Sequence, residues 1–190
     1  THKLDKHDHI IIYLDSGVRI VYNDPRRFGA IDLISTTKIN SHKWLKKLGP
    51  EPLGNEFSSY YLYEKLQKRT SSVKVALMDQ TLVAGLGNIY VLEALWLTKI
   101  SPLRKANAID KSEVQVLTTS IRRVLTLAIK AGGTSLQDFR QVGGEIGYFQ
   151  QSLNVYGCFE KQCKDTDCLG TIQRVKQSGR TSYYCNSCQI

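Results

Sequence analysis

The sequence lacks any uninterrupted apolar stretch of about 18 residues, the length at which a helix begins to span a bilayer. Its opening contains no basic segment followed by an apolar core and a cleavage site, so we expect no secretory signal peptide. It also lacks an initiator methionine: the chain opens on Thr1, and we interpret it as a fragment of a longer protein. These absences predict a protein of the reducing cytoplasm that does not associate with membranes.

Acidic residues are in the minority. The 190 residues contain 26 Lys and Arg against 17 Asp and Glu, a formal net charge of +9. The excess is spread along the whole chain, which is the usual footprint of a polyanion binder. Charge alone leaves open whether the partner is a nucleic acid or whether the protein is merely basic.

Cysteine is absent from most of the chain: all five cysteines lie near its end, and four of them form two close pairs. Cys163 and Cys168 form one close pair, and Cys185 and Cys188 form a second after sixteen intervening residues that read as a β-hairpin. This spacing predicts one tetrahedral zinc ion, and four protein ligands indicate a structural site rather than a catalytic one. The alternatives are two disulfides or four unrelated cysteines. Cys158 is either a substitute for Cys163 or an ordinary loop thiol.

Helical patterns fill the middle of the chain. Apolar spacing predicts helices over residues 55–69 and 72–79, then one from Asn88 to about Thr98. A longer helix is predicted to start at a capping box, Asp110 with Glu113, and to end at Gly132 and Gly133.

A glycine turn precedes the third of these helices. Gly85 and Gly87, followed by Asn88, would let a phosphate approach the backbone N–H groups at a helix N-terminus. The alternative is a plain glycine turn with Asn88 as the helix N-cap, and the spacing alone favours it.

The first fifty residues read as β-structure. Segments 10–14 and 18–22 predict a hairpin, and segment 30–34 predicts a third strand. The loop between them carries Arg26 and Phe28, a pair able to enter a base stack; the alternative is a surface turn with Phe28 in the core. His7 and His9 flank Asp8, where polar decoration of a sheet edge is a better interpretation than a metal or acid–base site.

Six motifs in order resemble the formamidopyrimidine-DNA glycosylase family of bacterial base-excision repair enzymes. They are residues 6–9 (KHDH), 23–29 (NDPRRFG), 48–53 (LGPEPL), 78–80 with 85–90 (MDQ, GLGNIY), 147–157 (GYFQQSLNVYG) and the four-cysteine finger. The resemblance implies an α+β multidomain fold. Residues 1–50 would be the remainder of an N-terminal β-sandwich, residues 51–150 a helix–two-turn–helix domain with a lesion loop, and residues 151–190 a zinc finger.

The resemblance also implies a function: removal of oxidised purines from double-stranded DNA, followed by cleavage at the abasic site, by a monomer of the bacterial nucleoid. Arg26 and Phe28 would fill the gap left by the flipped base, and residues 140–148 would cover that base. The remaining implied DNA contacts are His7, Arg69, Lys74, Asn88 and Arg180. Arg180 would also assist the second elimination step.

One departure from the family concerns its nucleophile. That nucleophile is the amine of an N-terminal proline, followed by a glutamate, and neither these residues nor the lysine of that stretch occurs here. We therefore expect these 190 residues to bind DNA without chemistry. The alternative is a non-catalytic, zinc-stabilised DNA-binding module; a zinc-stabilised RNA binder is less favoured, since no aromatic residues are predicted on a sheet.

Overall fold

A computed structural model of the chain describes residues 4–134 and 149–190. Its contacts divide the chain into two units, Thr1–His42 and Lys43–Ile190. The four cysteines thus belong to the same unit as the helices. The predicted lesion loop, residues 140–148, lies outside the described residues, and the domain boundaries at residues 50 and 150 stay predictions.

The first unit contains the predicted hairpin. Strand β1 (Asp8–Tyr13) pairs antiparallel with strand β2 (Arg19–Asn23), and Gly17 turns the chain between them at φ +78°. The predicted third strand over residues 30–34 is wrong. That segment is non-regular because none of the described strands lies beside it to accept its backbone hydrogen bonds, and Leu33 in its centre is 96% exposed.

The second unit begins with two short helices, each started by a serine. Helix α1 (Ser59–Leu66) follows Ser58, whose hydroxyl accepts from the Tyr61 N–H at 3.1 Å. Helix α2 (Val73–Leu77) follows Ser72, which accepts from the Val75 N–H at 3.4 Å. These caps fix where each helix starts. Both helices also end earlier than the predicted 55–69 and 72–79, at Leu66 and Leu77.

Two longer helices complete the core. Helix α3 (Asn88–Leu97) and helix α4 (Lys111–Lys130) pack against each other, and α1 packs on α4. The predicted capping box is confirmed: the Asp110 carboxylate accepts from the Glu113 N–H, and the Glu113 carboxylate accepts from the Asp110 N–H. None of the described helices is both long and apolar enough to cross a bilayer.

The chain ends in the second predicted hairpin. Strand β3 (Ile172–Gln177) pairs with strand β4 (Arg180–Cys185), joined by Ser178 and Gly179, both with positive φ. Two such residues make the tight turn that matches the twist of a hairpin. Strand β4 packs against α3, so that helix is covered by α4 and by the finger, and every residue from Val91 to Trp96 is buried.

The remaining helical elements among the described residues are short 3-10 helices, at Thr36–Ser41, Leu45–Lys47, Ala106–Ala108 and Phe149–Ser152.

Candidate nucleic-acid interface and metal centre

The four predicted ligands meet at one point. The sulfur atoms of Cys163, Cys168, Cys185 and Cys188 all lie within 4.8 Å of one another, with Cys163–Cys188 at 3.8 Å and Cys168–Cys185 at 3.5 Å. Sulfurs around a tetrahedral zinc, each about 2.3 Å from the metal, lie about 3.8 Å apart. The site therefore has the size and the donor set of a four-thiolate metal centre.

Backbone N–H groups surround this cluster. The Gly170 N–H donates to the Cys168 sulfur at 3.3 Å, and the Ser187 N–H donates to the Cys185 sulfur at 3.5 Å. Any side chain at Gly170 would collide with this loop, since its Cβ would lie 2.5 Å from the Ser187 Cβ. Such N–H donors stabilise thiolates, the form in which cysteine binds a metal.

The thiols differ in acidity. The Gly170 N–H lowers the pKa of Cys168 to about 7, whereas burial raises the pKa of Cys185 and raises that of Cys188 to about 12. A bound cation deprotonates coordinating thiols outright. Cys158 lies outside the cluster: its sulfur is 4.0 Å from the Leu153 carbonyl oxygen, and Cys163 occupies the ligand position.

Helix α3 contacts the cysteine cluster through Trp96. The indole N–H of Trp96 donates to the Cys163 sulfur at 3.3 Å, and the Lys99 ammonium lies 5.4 Å from the centre of the Trp96 ring. The sequence gives no sign of this contact, because Trp96 and its ligand are 67 residues apart.

Two cations lie close together at the tip of the finger. Lys74, on α2, is only 1% exposed, and Arg180 is the exposed first residue of β4. Burial, and secondarily the positive charge of Arg180, lower the pKa of Lys74. Within residues 4–134 and 149–190, neither side chain forms an ion pair with a carboxylate. Neither charge is thus neutralised by a carboxylate of the described residues.

The glycine turn leads into the start of α3, which lines a cavity together with Arg180. Gly85 has φ +77°, and Gln80 closes the turn by accepting from the Gly85 N–H at 2.8 Å and donating to the Leu86 carbonyl at 3.2 Å. The N-cap of α3 is Gly87, not the predicted Asn88. Glycine has no side chain to cap the helix, and among the described residues the start of α3 has no side-chain cap hydrogen bond.

Asn88 bonds instead to the finger. Its Nδ2 donates to the Thr181 carbonyl at 3.0 Å, while its Oδ1 is buried and meets no donor in the described part of the chain. A cavity of 380 Å³ opens here, lined by residues of both the helix and the finger: Gly87, Asn88, Tyr90, Tyr156, Arg180 and Tyr183. The structure thus brings together Asn88 and Arg180, which the sequence predicts as separate phosphate contacts.

Arg69 is engaged elsewhere. Its guanidinium donates to the Asp79 carboxylate at 2.9 Å, and that carboxylate also accepts from the hydroxyl and N–H of Thr81. The Thr81 hydroxyl is the main reason that the pKa of Asp79 lies below its usual value, with Arg69 contributing less. Any phosphate bound by Arg69 would share it with Asp79.

In the first unit, Asp24 shapes the loop that carries Arg26 and Phe28. Its carboxylate accepts from the N–H groups of Arg26, Arg27 and Gly29, at 3.1, 2.9 and 2.7 Å. Phe28 is 83% exposed, and the Arg26 guanidinium carbon lies 5.3 Å from the centre of its ring. The alternative that places Phe28 in the core is therefore wrong, and the pair projects outward.

Two histidines of the first unit, His7 and His9, lie next to its backbone polar groups. The His7 N–H donates to Asp5 at 3.0 Å, its carbonyl accepts from the Asp24 N–H at 3.1 Å, and the His9 ring nitrogen lies 3.0 Å from the Asp24 carbonyl. Among the residues described, the four cysteines are the one group of three or more side chains that could hold a metal, and neither histidine belongs to it.

Sequence reasoning missed Glu93. This carboxylate is 2% exposed in the middle of α3 and accepts four hydrogen bonds, from the N–H groups of Asn154, Val155 and Tyr156 and from the Asn154 side chain. A glutamate within an otherwise apolar helical segment is the pattern that could have revealed it, because buried charges require partners. Through Glu93, helix α3 holds the loop that brings Tyr156 to the cavity.

Known proteins match this chain over most of its length. The family model described as the formamidopyrimidine-DNA glycosylase H2TH domain matches residues 48–140. The formamidopyrimidine-DNA glycosylase of Ruegeria pomeroyi is 55% identical over 184 residues, covering 97% of this chain and 65% of the relative. The chain thus spans slightly less than two thirds of that relative's length.

Solved structures agree. The MutM (Fpg) protein of Thermus thermophilus superposes with a TM-score of 0.89 at 33% identity, covering 98% of this chain and 70% of that one. Lactococcus lactis Fpg in complex with DNA containing an abasic site superposes with a TM-score of 0.86 at 40% identity, covering 97% and 66%. These matches confirm the predicted α+β fold with its helical domain and cysteine-bearing hairpin. The chain belongs to the formamidopyrimidine-DNA glycosylase family.

Proposed function

We propose that the protein to which these residues belong removes oxidised purines from double-stranded DNA and then cleaves the strand at the abasic site. It would act as a monomer in the bacterial nucleoid. Relatives carry the name formamidopyrimidine-DNA glycosylase, and the Lactococcus lactis protein was crystallised with DNA containing an abasic site. These names support DNA as the partner and base removal as the reaction.

The proposal rests mainly on two positively charged residues, Lys74 on α2 and Arg180 at the start of β4. A buried lysine beside an arginine is unfavourable unless an anion reaches both. Lys74 and Arg180 have no carboxylate partner within the two described stretches. Arg180 also lines a cavity with the start of α3, where the N-cap Gly87 offers no side chain. Phosphate is the anion that such N-termini accommodate best, and the DNA backbone supplies it.

The other predicted contacts fit the same proposal as backbone or gap-filling groups. Asn88 lines the cavity beside Arg180, and Arg69 and His7 would contact further phosphates. Phe28 exposes its ring next to the Arg26 guanidinium. An exposed aromatic ring can take the place of an extruded base, while the guanidinium bonds to a base edge.

We assign the reacting amine to a residue outside these 190. The family resemblance implies an N-terminal proline, whose amine attacks the sugar C1′ to give a Schiff base. The N-terminal proline and glutamate of the family do not occur in these residues. On their own, these residues should therefore bind DNA and leave the base in place. Arg180 would assist the second elimination only with the nucleophile present.

The metal is proposed to be one structural zinc ion on Cys163, Cys168, Cys185 and Cys188. Four thiolates leave no position for water or substrate. When bound, zinc would supply the bonds that hold the two cysteine loops together. The chain's own hairpin would then present Arg180 to the DNA.

Two measurements test the proposal. Fluorescence anisotropy should report tight, salt-dependent binding of a duplex containing an abasic-site analogue, and absence of binding would reject it. Borohydride trapping on duplex DNA with an oxidised guanine should give no covalent adduct with the 190-residue chain, and should give one with a protein that carries the proline stretch.

A non-catalytic DNA-binding module is the second candidate, because the same basic site would serve it. The coding sequence upstream of Thr1 distinguishes the two. A Met-Pro-Glu start supports the enzyme, and a native start at Thr1 supports the module.

A further inference from the structure

Gln177 lies at the turn of the C-terminal hairpin, opposite Arg180. It is the last residue of β3 and pairs directly with Arg180 across the turn formed by Ser178 and Gly179. Its Nε2 donates two hydrogen bonds, to the Ser72 hydroxyl at 3.0 Å and to the Pro102 carbonyl at 3.1 Å. Both acceptors are more than 70 residues away, on the helical part of the unit.

The two acceptors lie at a corner of the helical part, where the start of α2 is hydrogen-bonded to the segment after Pro102. Ser72 is the N-cap of α2, two residues before Lys74. The segment after Pro102 is tied to it, since the Val73 N–H donates to the Arg104 carbonyl at 2.8 Å and the Ala106 N–H donates to the Ser71 carbonyl at 2.9 Å. A hairpin bonded to this corner takes its position from the start of α2.

The carboxamide of Gln177 is held in one orientation. Its Oε1 is buried and finds no donor among the residues that the structure describes. Exchanging the oxygen and the nitrogen would set the oxygen against the Pro102 carbonyl, which can only accept. A buried acceptor without a donor is unfavourable. The two hydrogen bonds that Nε2 donates must therefore offset the cost of the unpaired Oε1.

A second bond fixes the other side of Arg180. Asn88 donates to the carbonyl of Thr181, the residue that follows Arg180. The backbone around Arg180 is thus tied to α2 through Gln177 and to α3 through Asn88. Between these ties the guanidinium lies close enough to Lys74 to lower its pKa, although burial is the larger cause.

We propose that Gln177 is a positioning residue that docks the hairpin tip on the start of α2 and so holds Arg180 beside Lys74 before DNA arrives. The proposal rests on the proposed function in one respect, that Arg180 binds a phosphate. Holding two like charges together without an anion is unfavourable, so a tether is needed to keep the site assembled. Pre-assembly strengthens binding because less ordering remains to be done in the complex.

The test replaces Gln177 with methionine, which has a similar length and no donor. Gln177→Met should weaken binding of a duplex with an abasic-site analogue by about five- to thirtyfold. The salt dependence of binding should not change, since every phosphate contact is retained; Arg180→Ala should reduce it. In the Arg180→Ala background, Gln177→Met should have little further effect, because the tether acts through Arg180.

Gln173→Met is the matched control. Gln173 lies on the same strand and donates to Thr171 within the finger, at 3.0 Å, so its loss should leave DNA affinity unchanged. Metal content should remain one ion per chain in all of these variants. Equal losses of affinity in the wild-type and Arg180→Ala backgrounds would overturn the positioning role.

A measurement without DNA separates this inference from the proposed function. Amide hydrogen exchange at residues 178–181 of the free chain should be faster in Gln177→Met and unchanged in Gln173→Met. Unchanged exchange in Gln177→Met would overturn the tether even if DNA binds well. If the wild-type chain fails to bind DNA, the proposed function is rejected, and the exchange data alone decide the docking of the hairpin.

Discussion

Replacement of Lys74 with methionine should make the protein more stable and a weaker DNA binder. Lys74 is 1% exposed, has no acidic partner in the described ranges and faces the charge of Arg180. Methionine keeps most of the volume of the stem and removes the buried charge. We expect a gain of about 1–2 kcal/mol in the free energy of unfolding, which raises Tm by roughly 2–4 °C per kcal/mol in a chain of this size.

The stability gain should depend on pH. The folded-state pKa of Lys74 lies below its ordinary value of 10.5, so the unfolded chain holds this proton more tightly. The wild-type protein therefore becomes more stable as pH rises from the lowered pKa toward 10.5. The advantage of Lys74→Met is then fully present below the lowered pKa and shrinks through that alkaline window.

The same variant should lose one phosphate contact. A charge-assisted hydrogen bond contributes about 1.5–3 kcal/mol, so affinity for duplex DNA should fall by roughly 10- to 100-fold, and the slope of log affinity against log salt should decrease by about 0.9. Thermal unfolding and anisotropy titrations measure the two effects. The exposed Lys68 offers a control, and Lys68→Met should stay within about 0.5 kcal/mol of wild type. A destabilised Lys74→Met, or one with unchanged affinity and salt slope, would refute the reasoning.

Three further outcomes are expected. Arg180→Ala should weaken binding to damaged and undamaged duplex alike and lower the salt slope by about 0.9; an unchanged slope would count against phosphate binding. Cys185→Ser should lose the metal and unfold the finger, measured by elemental analysis, while Cys158→Ser keeps it; stoichiometric zinc in Cys185→Ser would mean a different ligand set. Glu93→Gln places an amide NH₂ against backbone N–H donors and should cost about 2–4 kcal/mol in chemical denaturation, against about 1 kcal/mol for Asn154→Ala, which removes one of the four bonds. Equal stability of these two variants would contradict the role of Glu93.

Features encoded over short stretches of sequence could be predicted. The two cysteines of each pair are only a few residues apart, and this spacing indicates a shared metal. The structure places the four sulfurs together. The capping box at Asp110 and the hairpin ending at Cys185 are likewise local patterns. Their physical causes, a side chain capping an N–H and a two-residue turn, operate within about ten residues.

Features that join distant segments could not be predicted from one sequence. The contacts of Trp96 with Cys163 and of Gln177 with Ser72 link residues 67 and 105 positions apart. Helix α3 shows the same limit, because its packing on two sides buries residues that an amphipathic pattern assigns to solvent. The prediction of a third strand was wrong because strand propensity alone does not form a strand. Residues 30–34 have that propensity, but none of the described strands pairs with them.

The contact between Trp96 and Cys163 gives the metal centre an optical readout. The chain has two tryptophans, and the other, Trp44, is 48% exposed. Trp96 alone donates its indole N–H to a ligand sulfur. Because this hydrogen bond joins the indole directly to a proposed metal ligand, we expect emission from the buried tryptophan to change if a bound ion is removed. A titration with a chelator can therefore be followed by intrinsic fluorescence, with no added dye and no engineered reporter.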